Sequence, residues 1–250
     1  MANGESMRLA KFLAAAGLGS RRRCEELIAE GRVSVNGQPV LTPACVVSPG
    51  VDAVLFEGRR LELADKQYVM LNKPVGYTCT SNDEHAEHLV FELLPETFGR
   101  LFYVGRLDRD SEGLLLFTNE GDMAQYLTHP SHQVEKTYVV DCDGVLTEAR
   151  IRKMLSGIED EGENLRALKV TKMREKPGKV MFEVVLGEGH KREIRRMCAK
   201  VGLNVVRLAR TKFAGIELGT LPTGEWRSLT DAEVTMLRKC MVKTAGGRAK

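Results

Sequence analysis

The stretch of sequence that decides the fold is a charged loop enclosed by two apolar runs. It reads Gly105-Arg106-Leu107-Asp108-Arg109-Asp110-Ser111-Glu112-Gly113-Leu114-Leu115-Leu116-Phe117-Thr118. Residues 101–104, which precede this loop, and residues 114–118 predict two buried strands. Charged side chains held on a loop between core elements are typical of a functional site, because the rigid strands fix their positions.

Composition indicates a globular protein of one or two domains. The chain has 250 residues, of which 43% are hydrophobic and 28% charged, and its formal net charge is +3. No apolar run approaches the roughly 18 residues of a membrane span, and the first six residues do not form a signal peptide. The six cysteines are scattered without a Cys-x-x-Cys pair. We therefore expect a cytoplasmic protein with reduced thiols, without zinc and without contact to a membrane.

The first sixty residues have the pattern of a small module of helices and strands. Apolar side chains recur at helical spacing over residues 7–16, and Ser20 can cap a second helix that ends at Gly31. The turn Asn36-Gly37 then predicts a hairpin. Four arginines gather around the second helix and the first strand, where their guanidinium groups suit phosphates: Arg21, Arg22, Arg23 and Arg32. A solvated surface is the alternative interpretation of this cluster.

Residues 7–64 resemble the S4 RNA-binding domain. The resemblance is carried by Arg8-Leu9-Ala10-Lys11-Phe12-Leu13, Gly19-Ser20-Arg21-Arg22 and Gly31-Arg32-Val33-Ser34-Val35-Asn36-Gly37, in the order of the family. It implies a two-helix module with short strands that holds structured RNA by its backbone. Residues 1–6 are expected to form a flexible leader, and residues 65–67 a linker to the next domain.

Residues 68–242 predict a catalytic domain, so that the whole chain belongs to the α+β class. Predicted strands outnumber helices without a regular β-α-β rhythm, which favours a mixed, mainly antiparallel sheet with flanking helices. We expect strands over residues 68–71, 77–80, 101–104, 114–118, 136–140, 167–173, 180–186, 204–213 and 216–218. Helices are expected around residues 89–94, 122–127, 147–158, 194–201 and 230–241, and residues 243–250 are expected to be a frayed tail.

Two metal sites are conceivable but fit the sequence poorly. The spacing of Asp108 and Asp110 is that of a calcium-binding loop, yet the twelfth position is Asn119, where a glutamate is needed, and a strand follows in place of a helix. Two histidine pairs, His85 with His88 and His129 with His132, have no third ligand at a suitable spacing. We therefore expect no metal.

Other enzyme classes leave parts of the chain unexplained. Neither a Ser-His-Asp order nor a phosphate-binding glycine loop is present, which argues against a hydrolase triad and a nucleotide-dependent enzyme. Two carboxylates of the charged loop could serve a glycosidase. That hypothesis gives no purpose to the basic segment at residues 187–212, which holds eight lysines and arginines against two glutamates.

Residues 68–240 resemble the RsuA/RluB-type bacterial ribosomal RNA pseudouridine synthases. The catalytic signature of that family is matched by Gly105-Arg106-Leu107-Asp108 with Gly113-Leu114-Leu115. Its other motifs are matched by Leu71-Asn72-Lys73-Pro74-x-Gly76, Glu135-Lys136-Thr137-Tyr138, and Gly187-Glu188-Gly189 with Glu193-Ile194-Arg195-Arg196-Met197. The chain departs from the family at Glu193, where glutamine is common.

The resemblance implies the isomerisation of uridine in ribosomal RNA to pseudouridine. The C1′–N1 bond is broken and C1′ is joined to C5, so that substrate and product are isomers and no redox cofactor or nucleotide energy is needed. Large-subunit 23S ribosomal RNA is the favoured substrate and small-subunit 16S ribosomal RNA the alternative. A non-catalytic RNA-binding assembly factor is the alternative from another class. We expect a monomer whose partner is a structured stem-loop of ribosomal RNA, without a small-molecule cofactor.

The resemblance also assigns roles to individual residues. Asp108 is the working carboxylate, as a nucleophile or as a base toward the ribose. Tyr138 is expected to stack on the flipped uracil, and Arg106 to contact the RNA beside it. Arg195 lies at the edge of an apolar helix stripe and is expected to hold the charge of Asp108, while Asp110 and Glu112 are interpreted as loop structure. Further RNA contacts are expected from Lys73, Lys136, Lys191, Arg192, Arg196 and Lys200.

Overall fold

The computed structural model describes residues 6–80 and 87–245. The chain divides into two compact units, of which the first comprises Met1–Lys66 with Asn119–Gly121 and the second comprises Gln67–Thr118 with Asp122–Lys250. The expected leader and tail lie largely at residues 1–5 and 246–250, outside the described residues, as does His85. No helix in the described ranges is both long and apolar enough to cross a bilayer.

From residue 6 onward, the first unit consists of two helices and six short strands. The side-chain oxygen of Ser20 accepts a hydrogen bond from the N–H of Arg23 at 3.1 Å, so the predicted cap is confirmed. The predicted hairpin is also confirmed, with positive φ angles of 51° at Asn36 and 81° at Gly37. The elements are β1 (Met7–Arg8), α1 (Leu9–Ala15), α2 (Arg21–Ala29), β2 (Val33–Val35), β3 (Gln38–Pro39), β4 (Val46–Val47), β5 (Val54–Phe56) and β6 (Arg59–Arg60).

The second unit contains eleven strands in its described part. These are β7 (Tyr68–Lys73), β8 (Phe102–Val104), β9 (Glu112–Thr118), β10 (Lys136–Asp143), β11 (Ile158–Asp160), β12 (Glu163–Leu165), β13 (Lys169–Lys176), β14 (Lys179–Leu186), β15 (Asn204–Phe213), β16 (Ile216–Glu217) and β17 (Trp226–Ser228). Nine of them form one sheet in the order β13-β14-β10-β15-β9-β7-β17, with β8 beside β9 and β16 beside β15. Only β15 and β9 run parallel, so the predicted mixed, mainly antiparallel sheet is confirmed.

Helices cover both faces of this sheet. They are α3 (Gly121–Thr128), α4 (Glu148–Ser156), α5 (Glu193–Lys200) and α6 (Asp231–Ala245), with single 3-10 turns at Val90–Leu93, Glu96–Phe98 and Pro130–His132. One core cluster joins the sheet to residues of α4 and α5, and a second joins the other face to α3 and α6. Because β9 is buried on both faces, its sequence is an uninterrupted apolar run instead of an alternating one.

Some predicted elements differ from the structure. The strand expected over residues 77–80 is wrong, because Thr78 forms only a single bridge, to Leu89. The helix expected over residues 89–94 is a single 3-10 turn. The strands β11, β12 and β17 were not predicted.

Candidate active site

The loop that carries Asp108 joins β8 to β9 and lies at the parallel seam of the sheet. At its end, Gly113 is paired with Arg210 of β15 and has a φ of +102°. A Cβ atom at Gly113 would lie 2.3 Å from the carbonyl oxygen of Arg210. Glycine is therefore required here, since any side chain would force β9 and β15 apart.

Lys73 supports this loop from the interior. Its side chain is fully buried, and Nζ donates to the carbonyl oxygens of Pro74 at 3.0 Å, Asp108 at 3.1 Å and Ser111 at 2.8 Å. Burial lowers the pKa of Lys73, although the nearby Cys79 and Asp108 act in the opposite direction. The prediction that Lys73 contacts RNA is wrong, because its three donors are used inside the protein.

Arg210 supports the same loop from β15. The side chain is 1% exposed; Nε donates to the carbonyl oxygen of Leu114 at 2.7 Å and Nη1 to that of Arg106 at 3.4 Å. The guanidinium group thus ties together both ends of the loop. Its Nη2 has no hydrogen-bond partner among the described residues.

Asp108 faces a cavity of about 470 Å³, here called the Asp108 cavity. The Asp108 side chain is 38% exposed, and the cavity is also lined by Tyr138 of β10, which is 9% exposed. Arg106 and Lys191 are exposed residues on the same wall. A carboxylate, an aromatic ring and surface cations therefore line one opening.

Arg192, which immediately precedes α5, and Arg195 of α5 hold Asp110 instead of Asp108. Arg192 binds both carboxylate oxygens of Asp110, at 3.0 and 2.9 Å, and lies 3.9 Å from Asp108. Arg195 lies 3.2 Å from Oδ2 of Asp110 and donates to its carbonyl oxygen at 2.7 Å. The expected Arg195–Asp108 pair is therefore wrong. Arg195 faces the loop at Asp110, which lies two residues after Asp108. Asp110 is a structural anchor, as its interpretation as loop structure predicts.

Charge fixes the protonation of this anchor. Burial on its own would raise the pKa of Asp110, but the hydrogen bond from Arg192 and the charge of Arg195 outweigh it and hold the pKa below its usual range. Asp110 is therefore ionised at neutral pH and keeps both arginines on the loop.

Glu193 begins α5 and is buried beside the Asp108 cavity. It is 4% exposed, and its Oε2 accepts a hydrogen bond from the N–H of His190 at 3.0 Å. Burial raises the pKa of Glu193, while the hydrogen bond from His190 opposes that rise. A glutamine could make the same contact through its side-chain oxygen, so the departure from the family preserves this turn.

Arg196 and Lys200 bind α5 to the β11–β12 hairpin. Arg196 donates to Asp160 Oδ2 at 2.6 Å, to Glu163 Oε2 at 2.5 Å and to the Asp160 carbonyl oxygen at 2.7 Å. Its side chain is only 15% exposed and its donors are used internally, so the geometry does not favour the RNA contact predicted for Arg196, which stays a prediction. Lys200 forms an ion pair with Asp160 at 2.8 Å but remains 49% exposed, so its RNA contact stays a prediction.

The four arginines of the first unit have different surroundings. Arg23 pairs with Glu26 at 2.8 Å, and Arg32 pairs with Glu57 at 2.6 Å. Arg21 and Arg22 are exposed on the first turn of α2. All four side chains are at least partly accessible, and their contacts with RNA remain predictions.

Sequence reasoning missed one residue of this site, Arg210, and it did not give the partners of Asp110, which are Arg192 and Arg195. Arg210 carried no local signal in the sequence Arg207-Leu208-Ala209-Arg210-Thr211-Lys212, where three basic residues stand close together; only its burial within β15 distinguishes it. A charge at such a position must be paired or hydrogen-bonded inside the protein. Within residues 6–80 and 87–245 the structure contains no group of three or more side chains placed to hold a metal.

Residues 67–200 match the model of the RNA pseudouridylate synthase family, and residues 7–52 match that of the S4 domain. The chain belongs to the RNA pseudouridylate synthases, and it carries an S4 domain before its catalytic unit.

Named relatives resemble the chain along nearly its whole length. It is 37% identical to the ribosomal large subunit pseudouridine synthase B of Bacillus subtilis (strain 168), over 92% of this chain and 95% of that protein. It is also 37% identical to the dual-specificity RNA pseudouridine synthase RluF of Escherichia coli (strain K12), over 94% and 79%. A crystal structure of a pseudouridylate synthase matches with a TM-score of 0.66 and 30% identity, over 92% of this chain and 99% of that one. The chain is therefore an enzyme that isomerises uridine in RNA.

Proposed function

We propose that this protein converts a specific uridine of ribosomal RNA to pseudouridine in the cytoplasm, with Asp108 as its catalytic carboxylate. The observation that carries this proposal is the position of Asp108. Its side chain faces the Asp108 cavity beside Tyr138, on a loop whose backbone is held by Lys73 and Arg210. Asp110 and Glu112, the neighbouring carboxylates, are paired with arginines and do not line that cavity.

The reaction needs a carboxylate at the ribose and a platform for the base. Asp108 acts on the ribose, by attacking C1′ or by removing a ribose proton, so that the C1′–N1 bond breaks. The uracil then turns and C5 bonds to C1′. The proton leaves C5 and N1 gains one, so that the atoms of substrate and product are the same. Tyr138 stacks on the uracil, and its hydroxyl group relays the C5 proton to water.

The substrate uridine must leave its base stack to enter this cavity. Arg106, Lys191 and Arg192 are exposed at the opening and bind the RNA around the flipped nucleotide. The S4 domain holds a neighbouring part of the RNA through Arg21, Arg22, Arg23 and Arg32, and Lys200 adds a phosphate contact. Arg195 acts indirectly, since it positions the loop through Asp110.

The favoured substrate is large-subunit ribosomal RNA. The Bacillus subtilis relative, which matches along almost its whole length, is named a large-subunit enzyme. Mapping pseudouridines in all RNAs of a strain without this gene tests the choice. A missing pseudouridine in 23S ribosomal RNA is the expected result; a missing one in 16S ribosomal RNA would overturn it and leave the chemistry intact.

The catalytic assignment is tested by Asp108→Asn. The amide cannot act as a nucleophile or base, so pseudouridine formation should fall on the order of 10⁴-fold or more, with RNA affinity largely retained. The matched control is Glu112→Gln, which removes a carboxylate four residues away that pairs with Arg207 outside the cavity. The control should keep at least about half of the activity. Normal turnover by Asp108→Asn would refute the role of Asp108.

A further inference from the structure

A second cavity adjoins the Asp108 cavity and has a different character. It measures about 260 Å³ and is here called the Lys136 cavity. Both cavities are lined by Arg106 and Tyr138, so the two spaces are continuous beside the loop. The side chains that line only the smaller cavity include Lys136 of β10 and Arg210 of β15.

Lys136 and Arg210 place two positive charges on one wall. Both lie next to the ring of Phe213, with Lys136 Nζ 5.8 Å and Arg210 Cζ 5.1 Å from its centroid. Lys136 donates to the carbonyl oxygen of Val134 at 2.8 Å, and Arg210 leaves Nη2 buried without a partner within the described residues.

These two cations lack the carboxylate partners that other basic residues of the site have. Four arginines around the loop and α5 are each paired with an aspartate or glutamate: Arg192, Arg195, Arg196 and Arg207. In the described part of the chain, neither Lys136 nor Arg210 lies within 4 Å of a carboxylate oxygen. Glu188 also lines the Lys136 cavity, but its carboxylate is bound by His190 Nε2 at 2.9 Å.

Two neighbouring cations removed from water destabilise each other. Burial and the charge of Arg210 together lower the pKa of Lys136 to about 8. A protein retains such an arrangement at low cost when an anion binds between the cations, because the ligand supplies the missing countercharge and hydrogen bonds. The wall thus has the properties of an anion site in its unliganded form.

We propose that Lys136 and Arg210 form a subsite for the phosphodiester group next to the flipped uridine. The subsite opens into the Asp108 cavity, so a phosphate bound there belongs to the substrate nucleotide or to its direct neighbour along the strand. The free Nη2 of Arg210 and the ammonium of Lys136 donate to its two non-bridging oxygens. The subsite fixes the ribose relative to Asp108, and it rests on the function proposed above.

Neutral phosphate analogues test this subsite directly. Two RNA substrates carry a methylphosphonate, which has no charge, immediately 5′ or immediately 3′ of the target uridine. On ordinary RNA, Lys136→Met should lower kcat/KM about 10- to 100-fold. On one of the two analogues, the unsubstituted enzyme should show the same loss, and Lys136→Met should add less than about 2-fold to it.

Two control variants separate charge from structure. Lys136→Arg retains the charge and should keep most of the activity on ordinary RNA. A loss found in Lys136→Met and absent from Lys136→Arg is therefore due to the missing charge. Lys212→Met removes a lysine two residues from Arg210 that is exposed and paired with Glu217 at 2.8 Å. It should behave like the unsubstituted enzyme on every substrate.

Two results would overturn the subsite: equal losses by Lys136→Met on ordinary RNA and on both analogues, or no loss on any of them. Failure of the proposed function is seen separately, in the unsubstituted enzyme on ordinary RNA. If that enzyme forms no pseudouridine in ribosomal RNA, or if Asp108→Asn is active, the chemistry is wrong whatever Lys136 does.

Discussion

Lys73 and Lys136 match two motifs of one family and were both predicted to contact RNA, yet they lie in different surroundings. Lys73 is enclosed completely, and its ammonium group donates to three carbonyl oxygens of the protein. Lys136 is half-buried on the wall of the Lys136 cavity and donates to one carbonyl oxygen. Burial lowers the pKa of both groups.

The difference shows what decides the role of a lysine in a protein interior. An ammonium group has three donors, and a buried one must have them satisfied. Where the backbone supplies all three acceptors, the lysine holds the fold and has nothing left for a ligand. Where the backbone supplies one, the remaining donors are available to the substrate. The number of main-chain acceptors around the ammonium group distinguishes the two roles. That number cannot be read from the sequence.

The largest expected effect follows from removing Lys73. Lys73→Met leaves the carbonyl oxygens of Pro74, Asp108 and Ser111 without their common donor. Relief of the buried charge offsets part of this cost, so the free energy of unfolding should fall by about 2–4 kcal/mol. Denaturant titration measures it. Lys136→Met is the matched control and should lose about 1 kcal/mol or less, because one carbonyl group near water loses its donor.

A reversal of that order would break the comparison. If Lys136→Met proved as destabilising as Lys73→Met, both lysines would be structural. The two variants should rank in the opposite order for activity, with the larger loss in Lys136→Met. At a low temperature, where both variants are folded, the activity of Lys73→Met on ordinary RNA should approach that of the unsubstituted enzyme. Lys136→Met should keep its lowered kcat/KM at the same temperature.

The second expected effect is a dependence of substrate binding on pH. Burial and Arg210 lower the pKa of Lys136 to about 8, while Glu193 and Glu188 act weakly in the other direction. In the proposed subsite only the protonated form binds the phosphodiester, so KM should rise as the pH passes upward through 8. Near pH 9 about a tenth of the free enzyme remains protonated at Lys136, which gives a KM about 5- to 10-fold higher than at pH 7.

Arginine at this position provides the control. Lys136→Arg stays charged throughout this range, so its KM should be flat between pH 7 and 9. The same proton affects stability in the opposite direction from substrate binding. Since the folded state releases the Lys136 proton near pH 8 and the unfolded chain near 10.5, this group should make the protein more stable as the pH rises between these values. If KM of the unsubstituted enzyme did not change between pH 7 and 9, the proposed contact between Lys136 and the RNA phosphate would be contradicted.

The sequence predicts those parts of the fold that depend on local pattern. Long strands such as β9 and β15, and helix α5 with its apolar stripe, follow from alternation and periodicity within the segment itself. The capping interactions of Ser20 and Thr230 follow in the same way, since each involves residues three apart. For the site, motif resemblance identified Asp108 and Tyr138, and the structure shows both on one cavity.

The parts that were not predictable depend on approaches between distant segments. Arg196 is buried by Asp160 and Glu163 of a short hairpin more than thirty residues away, and nothing local to α5 reveals that hairpin. Arg195 was given the wrong aspartate because helical geometry fixes which side of α5 faces the loop, but not the position along the loop. Arg210 reaches Leu114 across the parallel seam, which only the sheet topology creates.

The smallest expected effect concerns Glu193, a buried acid beside these buried bases. Because burial raises its pKa above 4.5, the folded state holds this proton more tightly than the unfolded chain does. Ionisation therefore costs stability at neutral pH, and the cost is lost as the pH falls from the raised pKa of the folded state to the usual value of 4.5. Glu193→Gln keeps an oxygen for the His190 N–H, so it should raise the free energy of unfolding by up to about 1 kcal/mol at pH 7 and change little near pH 4.

The same variant sharpens the contrast between the two lysines. The charge of Glu193 raises the pKa of Lys136, and it is absent from the main influences on Lys73. Its removal should therefore move the rise of KM to a slightly lower pH, while the stability difference between Lys73→Met and its parent stays the same. Denaturation at pH 4 and 7, with KM profiles of both enzymes, measures these effects. A Glu193→Gln protein less stable at pH 7 would mean that the ionised carboxylate is needed, and that the family's glutamine is not its equivalent here.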